Sequence, residues 1–138
     1  IAKRDLVENA ARLTKIRDRI ISETLKNIPH SRLNGDAVRR LPNNINMSFA
    51  YVECEALLLM MDMKGIACSS GSACTSGSLD PSHVLLAIGL DHETAHGSLR
   101  VTLGRHTTDA EADYFLKELP PIIERLRMMS PLGQTDNK

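Results

Sequence analysis

The stretches Ile45-Asn46-Met47-Ser48-Phe49 and Leu99-Arg100-Val101-Thr102-Leu103 decide the fold. In each, apolar and polar residues alternate, and this period of two is typical of a strand with one buried face. The second stretch places Arg100 on the face opposite its leucines and valine. Both stretches therefore predict half-buried strands, and the second also presents a cation away from the core.

Helical patterns flank these strands. Apolar residues recur at steps of mostly three and four from Leu6 to Ile28, which predicts a long helix that ends before Pro29. A second helix is predicted from Glu55 to Lys64. Thr108 and Glu111 form a capping box that begins the last helix. We expect Pro120-Pro121 to kink that last helix or divide it in two.

Shorter elements are predicted between the helices. Arg32 to Asn34 and Ile66 to Ser69 read as short strands, and Asp91 to Gly97 reads as a loop with a short turn. Asp80 and Pro81 suit the N-cap and first position of a two-turn helix, which Gly89 would end. The sequence thus predicts an α+β fold, in which a small sheet of three to four strands has helices packed on one side.

Composition excludes several classes of protein. The chain has 138 residues, with 17 basic and 17 acidic side chains, so we expect no nucleic-acid partner and no anionic membrane surface as partner. No apolar run approaches the roughly 20 residues of a membrane span. The odd number of cysteines, three, lacks the spacing of a disulfide framework, which favours a reducing, cytoplasmic location.

One cysteine lies in an unusual setting. Ser69 to Ser78 is a run of ten small residues, with Cys74 inside it. Such a run buries little apolar area to offset its ordering entropy, so it predicts a mobile loop. Free cysteines are more often buried as small hydrophobes. The pattern therefore indicates that Cys74 is a presented nucleophile, and its thiolate would be the reactive form.

Two further residues are candidates for the same site. Arg100 is either a surface arginine paired to a carboxylate or a bidentate clamp for a substrate carboxylate, a task for which the planar guanidinium is suited. His83, just after the small-residue run, is either a surface residue or a proton carrier near Cys74.

Other chemistries are weaker. Cys54, Cys68, Cys74 and His83 form no Cys-x2-Cys pair, so a zinc site is not predicted. His92 and His96 have His-x3-His spacing but lie in the predicted loop. The Gly/Ser run could act as a backbone nest for phosphate, yet no Gly-Lys-Ser/Thr sequence follows and a nucleotide P-loop is excluded.

Three motifs together carry a family resemblance. They are Ser69-Ser70-Gly71-Ser72-Ala73-Cys74-Thr75, then Asp80-Pro81-Ser82-His83-Val84-Leu85, then Ser98-Leu99-Arg100-Val101-Thr102-Leu103-Gly104-Arg105. In this order they closely resemble the pyridoxal-phosphate-dependent cysteine desulfurases of the iron–sulfur-assembly and nitrogenase-maturation type. The resemblance extends from the first helix to the ending Ser130-Pro131-Leu132, which is nearly the whole chain.

The resemblance implies a fold and an activity. It implies the C-terminal small domain of a fold-type I transferase, at residues 1–132, followed by a polar tail at 133–138. The family is homodimeric and converts L-cysteine to L-alanine. The family's persulfide cysteine corresponds to Cys74 and its carboxylate-binding arginine to Arg100, and the persulfide sulfur passes to an iron–sulfur scaffold protein.

The resemblance also implies that the family's cofactor-binding lysine lies outside this chain. The family's cofactor lysine follows a Ser-x-His motif, and none of the lysines here follows a histidine. We therefore expect pyridoxal 5'-phosphate to be bound by a large domain outside this chain, with no cofactor-binding and no metal-binding residue within it. The isolated chain is expected to be inactive. The alternatives are a selenocysteine lyase, a metal-binding or redox module that uses Cys68 and Cys74, and a non-catalytic interaction domain.

Overall fold

The computed structural model describes residues 2–70 and 81–130. Its elements, in chain order, are α1 (Ala2–Asn27), β1 (Ser31–Leu33), β2 (Asn44–Phe49), α2 (Cys54–Asp62), α3 (His83–Ala87), α4 (His92–His96), β3 (Ser98–Thr102) and α5 (Asp109–Met129). The described helices include none that is both long enough and apolar enough to cross a membrane.

The sheet has three strands in the order β1-β2-β3, and both pairings are antiparallel. Ile45 lies opposite Val101 and Met47 lies opposite Leu99, so the apolar faces predicted from the alternation coincide across the two strands. A one-residue slip would turn both apolar rows away from the core, which is why the alternation fixes the register. The predicted α+β class is confirmed.

The main core lies between the sheet and the three longer helices. It takes buried side chains from every one of these elements, among them Ile16 and Ile20 of α1, Leu57 and Met61 of α2, Leu119 and Ile123 of α5, and Ile45, Met47, Phe49 and Leu99 of the sheet. The two short helices form a second, smaller cluster from Leu85, Leu90 and Ala95. Helix α4 also contacts β2, which places this small cluster against the sheet.

The last helix differs from its prediction. α5 runs without a break from Asp109 to Met129, although Pro120 and Pro121 lie within it. Each proline removes one intrahelical hydrogen bond. Leu119, Ile122 and Ile123 around the prolines are all buried, and this burial holds the two halves in one helix. The capping box of Thr108 and Glu111 is confirmed, with donors and acceptors satisfied in both directions.

The segments on either side of residues 71–80 also differ from their predictions. Ile66 to Ser69 is not a strand, because within it only Ser69 makes a bridge, to Arg100. Helix α3 begins later than expected, at His83, with Ser82 in the N-cap position. The predicted cap at Asp80 lies outside the described residues. Asp91 to Gly97 contains a helix rather than a loop, since Asp91 caps α4 by accepting from the backbone N–H of Thr94 at 2.7 Å.

Candidate active site

Arg100 lies in the middle of β3, on the sheet face opposite the core, and is half-buried. Its backbone N–H donates to the carbonyl oxygen of Ser69 at 2.6 Å and its carbonyl oxygen accepts from the N–H of Ser69 at 3.1 Å. Both backbone groups of Arg100 therefore point away from β2. Asn46, its partner on β2, consequently forms a non-hydrogen-bonded pair with it, the arrangement in which antiparallel side chains lie closest.

The side chain of Arg100 is also bound to Ser69. Its Nε donates to the Ser69 hydroxyl oxygen at 3.0 Å. Three hydrogen bonds thus join the two residues, two through the backbone and one through the side chains. Ser69 is followed by one more described residue and then by 71–80. The bridge therefore holds Ser69, which precedes Cys74 by five positions in the sequence, beside the guanidinium of Arg100.

A polar network continues across the same face of the sheet. Asn34, only 3% exposed, donates through Nδ2 to Asn46 Oδ1 and to the Ser48 hydroxyl, both at 2.8 Å. Its own Oδ1 is buried and has no hydrogen-bond partner among the described residues. A buried acceptor without a hydrogen-bond donor lowers the stability of the fold, because its desolvation is not compensated. This face of the sheet therefore carries a row of buried and half-buried polar side chains, formed by Asn34, Asn46, Arg100 and Ser69.

Two cysteines lie close to this surface but hold protonated thiols. Cys54 begins α2 and is buried, and its Sγ donates to the carbonyl oxygen of Ser98 at 2.9 Å. Burial, helped by the carboxylates of Glu53 and Glu55, raises the pKa of Cys54 to about 12. Burial alone raises the pKa of Cys68 to about 11. Both thiols remain protonated at neutral pH, and a thiol is a poor nucleophile and a poor metal ligand.

The rival chemistries gain no support from the described residues. Cys68 is a free thiol, half-buried, and lies outside any strand. His92 and His96 lie one turn apart on α4 and are exposed. Residues 2–70 and 81–130 hold no cluster of three or more histidine, cysteine or acidic side chains suited to a metal.

The lysines whose side chains the structure describes do not fit a cofactor site. Lys15, Lys26, Lys64 and Lys117 are all exposed, and Lys64 forms an ion pair of 2.9 Å with Glu118. That pairing raises the pKa of Lys64. A lysine that forms a Schiff base needs the opposite, a lowered pKa in a desolvated site. The described lysines therefore offer no place for pyridoxal phosphate to attach.

Of the other two predicted site residues, the structure describes only His83. His83 is exposed at the start of α3, a helix that packs against α4. Cys74 lies outside the described residues. Among the described residues, the structure therefore places Arg100 on the polar face of the sheet and His83 at the start of α3.

Sequence reasoning did not single out Ser69, Asn46 or Asn34 as functional residues. Asn46 carried a usable signal, because it alternates onto the same face of the sheet as Arg100. Ser69 carried none, since its bridge joins positions 31 residues apart. The sequence predicts Asn34 only as the end of a short strand, and no local pattern indicates that its amide is buried.

Residues 3–115 match the family model described as aminotransferase class-V. The match covers most of the chain, and the chain belongs to this family.

Two curated relatives are named as cysteine desulfurases. The chain is 54% identical over 132 residues to "Cysteine desulfurase IscS 1" of Archaeoglobus fulgidus, covering 96% of this chain and 34% of that protein. It is 54% identical over 136 residues to "Cysteine desulfurase IscS" of Clostridium botulinum, covering 97% of this chain and 34% of that protein. The chain spans about a third of the length of these curated relatives.

A solved structure agrees with the family. The chain resembles a structure titled "NIFS-LIKE PROTEIN" with a TM-score of 0.77 and 28% sequence identity. That likeness covers 91% of this chain and 31% of the solved one. The α+β arrangement described above is therefore the arrangement found in one part of a longer NifS-like chain.

Proposed function

We propose that this chain is the C-terminal small domain, residues 1–132 with a polar tail at 133–138, of a cysteine desulfurase. The full-length protein would convert L-cysteine to L-alanine and keep the sulfur as a persulfide on Cys74. The observation that carries the proposal is the bridge between Ser69 and Arg100, which ties the candidate carboxylate clamp to the segment leading to Cys74. The names of the relatives supply the substrate class.

Arg100 would bind the substrate carboxylate. Its position on a polar, half-buried sheet face favours this role, because a charge-assisted bidentate pair is strongest where water is partly excluded. The strand fixes the backbone of Arg100, and the Ser69 hydroxyl accepts a hydrogen bond from its Nε. Binding the carboxylate at a fixed point would orient the rest of the amino acid, including its thiol.

Cys74 would take the sulfur. The chain has three cysteines, and burial keeps the thiols of Cys54 and Cys68 protonated. Cys74 is therefore the candidate nucleophile. It lies five positions after Ser69 in the sequence, so covalent geometry keeps its Cα within about 18 Å of the Ser69 Cα. Its thiolate would attack the substrate sulfur, so that an S–S bond forms and the C–S bond breaks. The electron pair of that bond stays on carbon, which takes up a proton to become the methyl group of alanine.

The other parts of the proposal concern groups beyond this chain. Pyridoxal phosphate, which the family implies, would be held by another part of the protein, where it would supply an electron sink. We further propose a homodimer in a reducing cytoplasm and an iron–sulfur scaffold protein as the sulfur acceptor. His83 stays a candidate proton carrier; a His83→Gln variant that keeps the wild-type pH profile would remove it.

The test uses the full-length protein loaded with pyridoxal phosphate. L-Cysteine should yield L-alanine, Cys74→Ala should abolish alanine formation, and the matched variant Cys68→Ala should retain it. The isolated chain mixed with pyridoxal phosphate should give no absorbance band from a specific lysine. Turnover in Cys74→Ala at the wild-type rate, or such a band, would overturn the proposal.

A further inference from the structure

Ser69 makes a contact that the proposed clamp does not itself explain. Its hydroxyl oxygen accepts from Arg100 Nε at 3.0 Å, in addition to the two backbone hydrogen bonds of the bridge. An antiparallel bridge needs only the backbone bonds, so an alanine at this position would keep the pairing. The hydroxyl therefore acts on the orientation of the guanidinium rather than on the connection of the chain.

The Nε contact determines how a carboxylate can approach. A guanidinium offers a carboxylate two edges, one formed by Nη1 and Nη2 and one that includes Nε. Because Ser69 accepts from Nε, a carboxylate bound by two parallel hydrogen bonds uses the edge formed by Nη1 and Nη2. On the other side of Arg100, Asn46 is held in place by the amide of Asn34. The hydrogen bond to Ser69 limits rotation of the guanidinium plane about the side-chain axis.

We propose that Ser69 is a positioning residue, and that it sets the preference of the site for substrates that carry an α-carboxylate. This rests on the proposed function, since it concerns the orientation of Arg100 toward the carboxylate of L-cysteine. The role of Ser69 and its effect on substrate preference can be disproved even if the proposed desulfurase activity is correct. Ser69 touches Arg100 and acts on the substrate through it.

The test compares two competitive inhibitors of the full-length protein, L-alanine and ethylamine, which is alanine without its carboxylate. In Ser69→Ala, the inhibition constant of L-alanine and the KM for L-cysteine should rise about tenfold, the scale of one hydrogen bond to a charged group. The inhibition constant of ethylamine and kcat should remain within about twofold. Ser69→Thr, which keeps the hydroxyl, should restore the wild-type values.

Thr102→Ala is the matched control. Thr102 is an exposed hydroxyl residue on β3, two positions from Arg100 and on the same face, so this variant should behave as the wild type. Unchanged L-alanine affinity in Ser69→Ala would overturn the inference, and so would equal losses for L-alanine and ethylamine. If the wild-type protein forms no alanine from cysteine, the proposed function itself fails. If it forms alanine but Ser69→Ala shows no selective loss, only this inference fails.

Discussion

The thiol of Cys54 donates a hydrogen bond of 2.9 Å to the carbonyl oxygen of Ser98, two residues before Arg100. This contact occupies the thiol proton at a place where burial and two glutamates already oppose its loss. We therefore interpret Cys54 as a structural residue, and we expect the reactive thiol of the chain to be a different cysteine.

Thiol labelling with a disulfide reagent near neutral pH tests which of the three cysteines is reactive in the folded chain. We expect one fast thiol per native chain, Cys74, because burial holds the pKa of Cys68 at about 11 and that of Cys54 at about 12. All three cysteines should react after unfolding. Cys74→Ala should remove the fast phase and Cys68→Ala should leave it, whereas a fast phase that survives in Cys74→Ala would contradict the assignment.

Alkaline stability should depend on the same two thiols. In the folded chain their pKa values are raised from 9.0 to about 12 and about 11, so above about pH 9 the unfolded chain releases protons that the folded chain retains. The contribution of these two thiols to the free energy of unfolding is complete below about pH 9 and is lost as the pH rises through about 11 and about 12.

Denaturant unfolding of wild type and of the double variant Cys54→Ala/Cys68→Ala, at pH values from about 8 to about 11, measures this effect. The double variant should be less stable near neutral pH because it loses buried volume. Its stability should nevertheless fall less steeply with pH than that of the wild type. Parallel pH profiles for the two proteins would contradict the raised pKa values.

Arg100→Lys should weaken binding of L-cysteine although the charge is unchanged. An ammonium is a point charge without the planar fork, so it cannot form two parallel hydrogen bonds to a carboxylate. We expect KM for L-cysteine to rise about tenfold in the full-length protein, with a smaller effect on kcat. Arg32→Lys is the matched control, because Arg32 is exposed on the outer strand β1. An unchanged KM in Arg100→Lys would count against the clamp.

Gly97 has a steric reason to be glycine. A Cβ at this position would lie 2.3 Å from the carbonyl oxygen of Phe49 and 3.1 Å from that of Val52. Because both atoms belong to the backbone, Gly97→Ala should displace the start of β3 and cost about 1–3 kcal/mol or more. Gly104→Ala is the control, since its nearest neighbour would be the Thr107 hydroxyl at 3.8 Å. Denaturant unfolding should separate the two variants, and equal midpoints would show that the sheet tolerates the clash.

The strands and the long helices could be predicted from the sequence because their signals are local. Alternation in β2 and β3 gave the buried faces, and the capping box of Thr108 marked the first residue of α5. Helix α4 was missed although Asp91 followed three residues later by Thr94 is a usable N-cap signal. The continuity of α5 through two prolines was missed because it depends on core packing, which no local pattern records.

The site could be predicted only in part, for a related physical reason. The alternation of β3 places Arg100 on the polar face from five consecutive residues. Its contact with Ser69 depends on a long-range pairing, and the burial of Asn34 depends on the order of three strands. Neither is encoded within a short window, so the neighbours that orient the arginine became visible only in three dimensions.

The location of the transferred sulfur shows directly whether Cys74 carries the persulfide. The full-length protein is incubated with L-cysteine, its thiols are alkylated under conditions that retain persulfides, and the peptides are analysed by mass spectrometry. We expect a gain of one sulfur atom on the peptide that contains Cys74 and none on the peptides of Cys54 and Cys68. Sulfur on Cys54 or Cys68, or none on Cys74 while alanine accumulates, would contradict it.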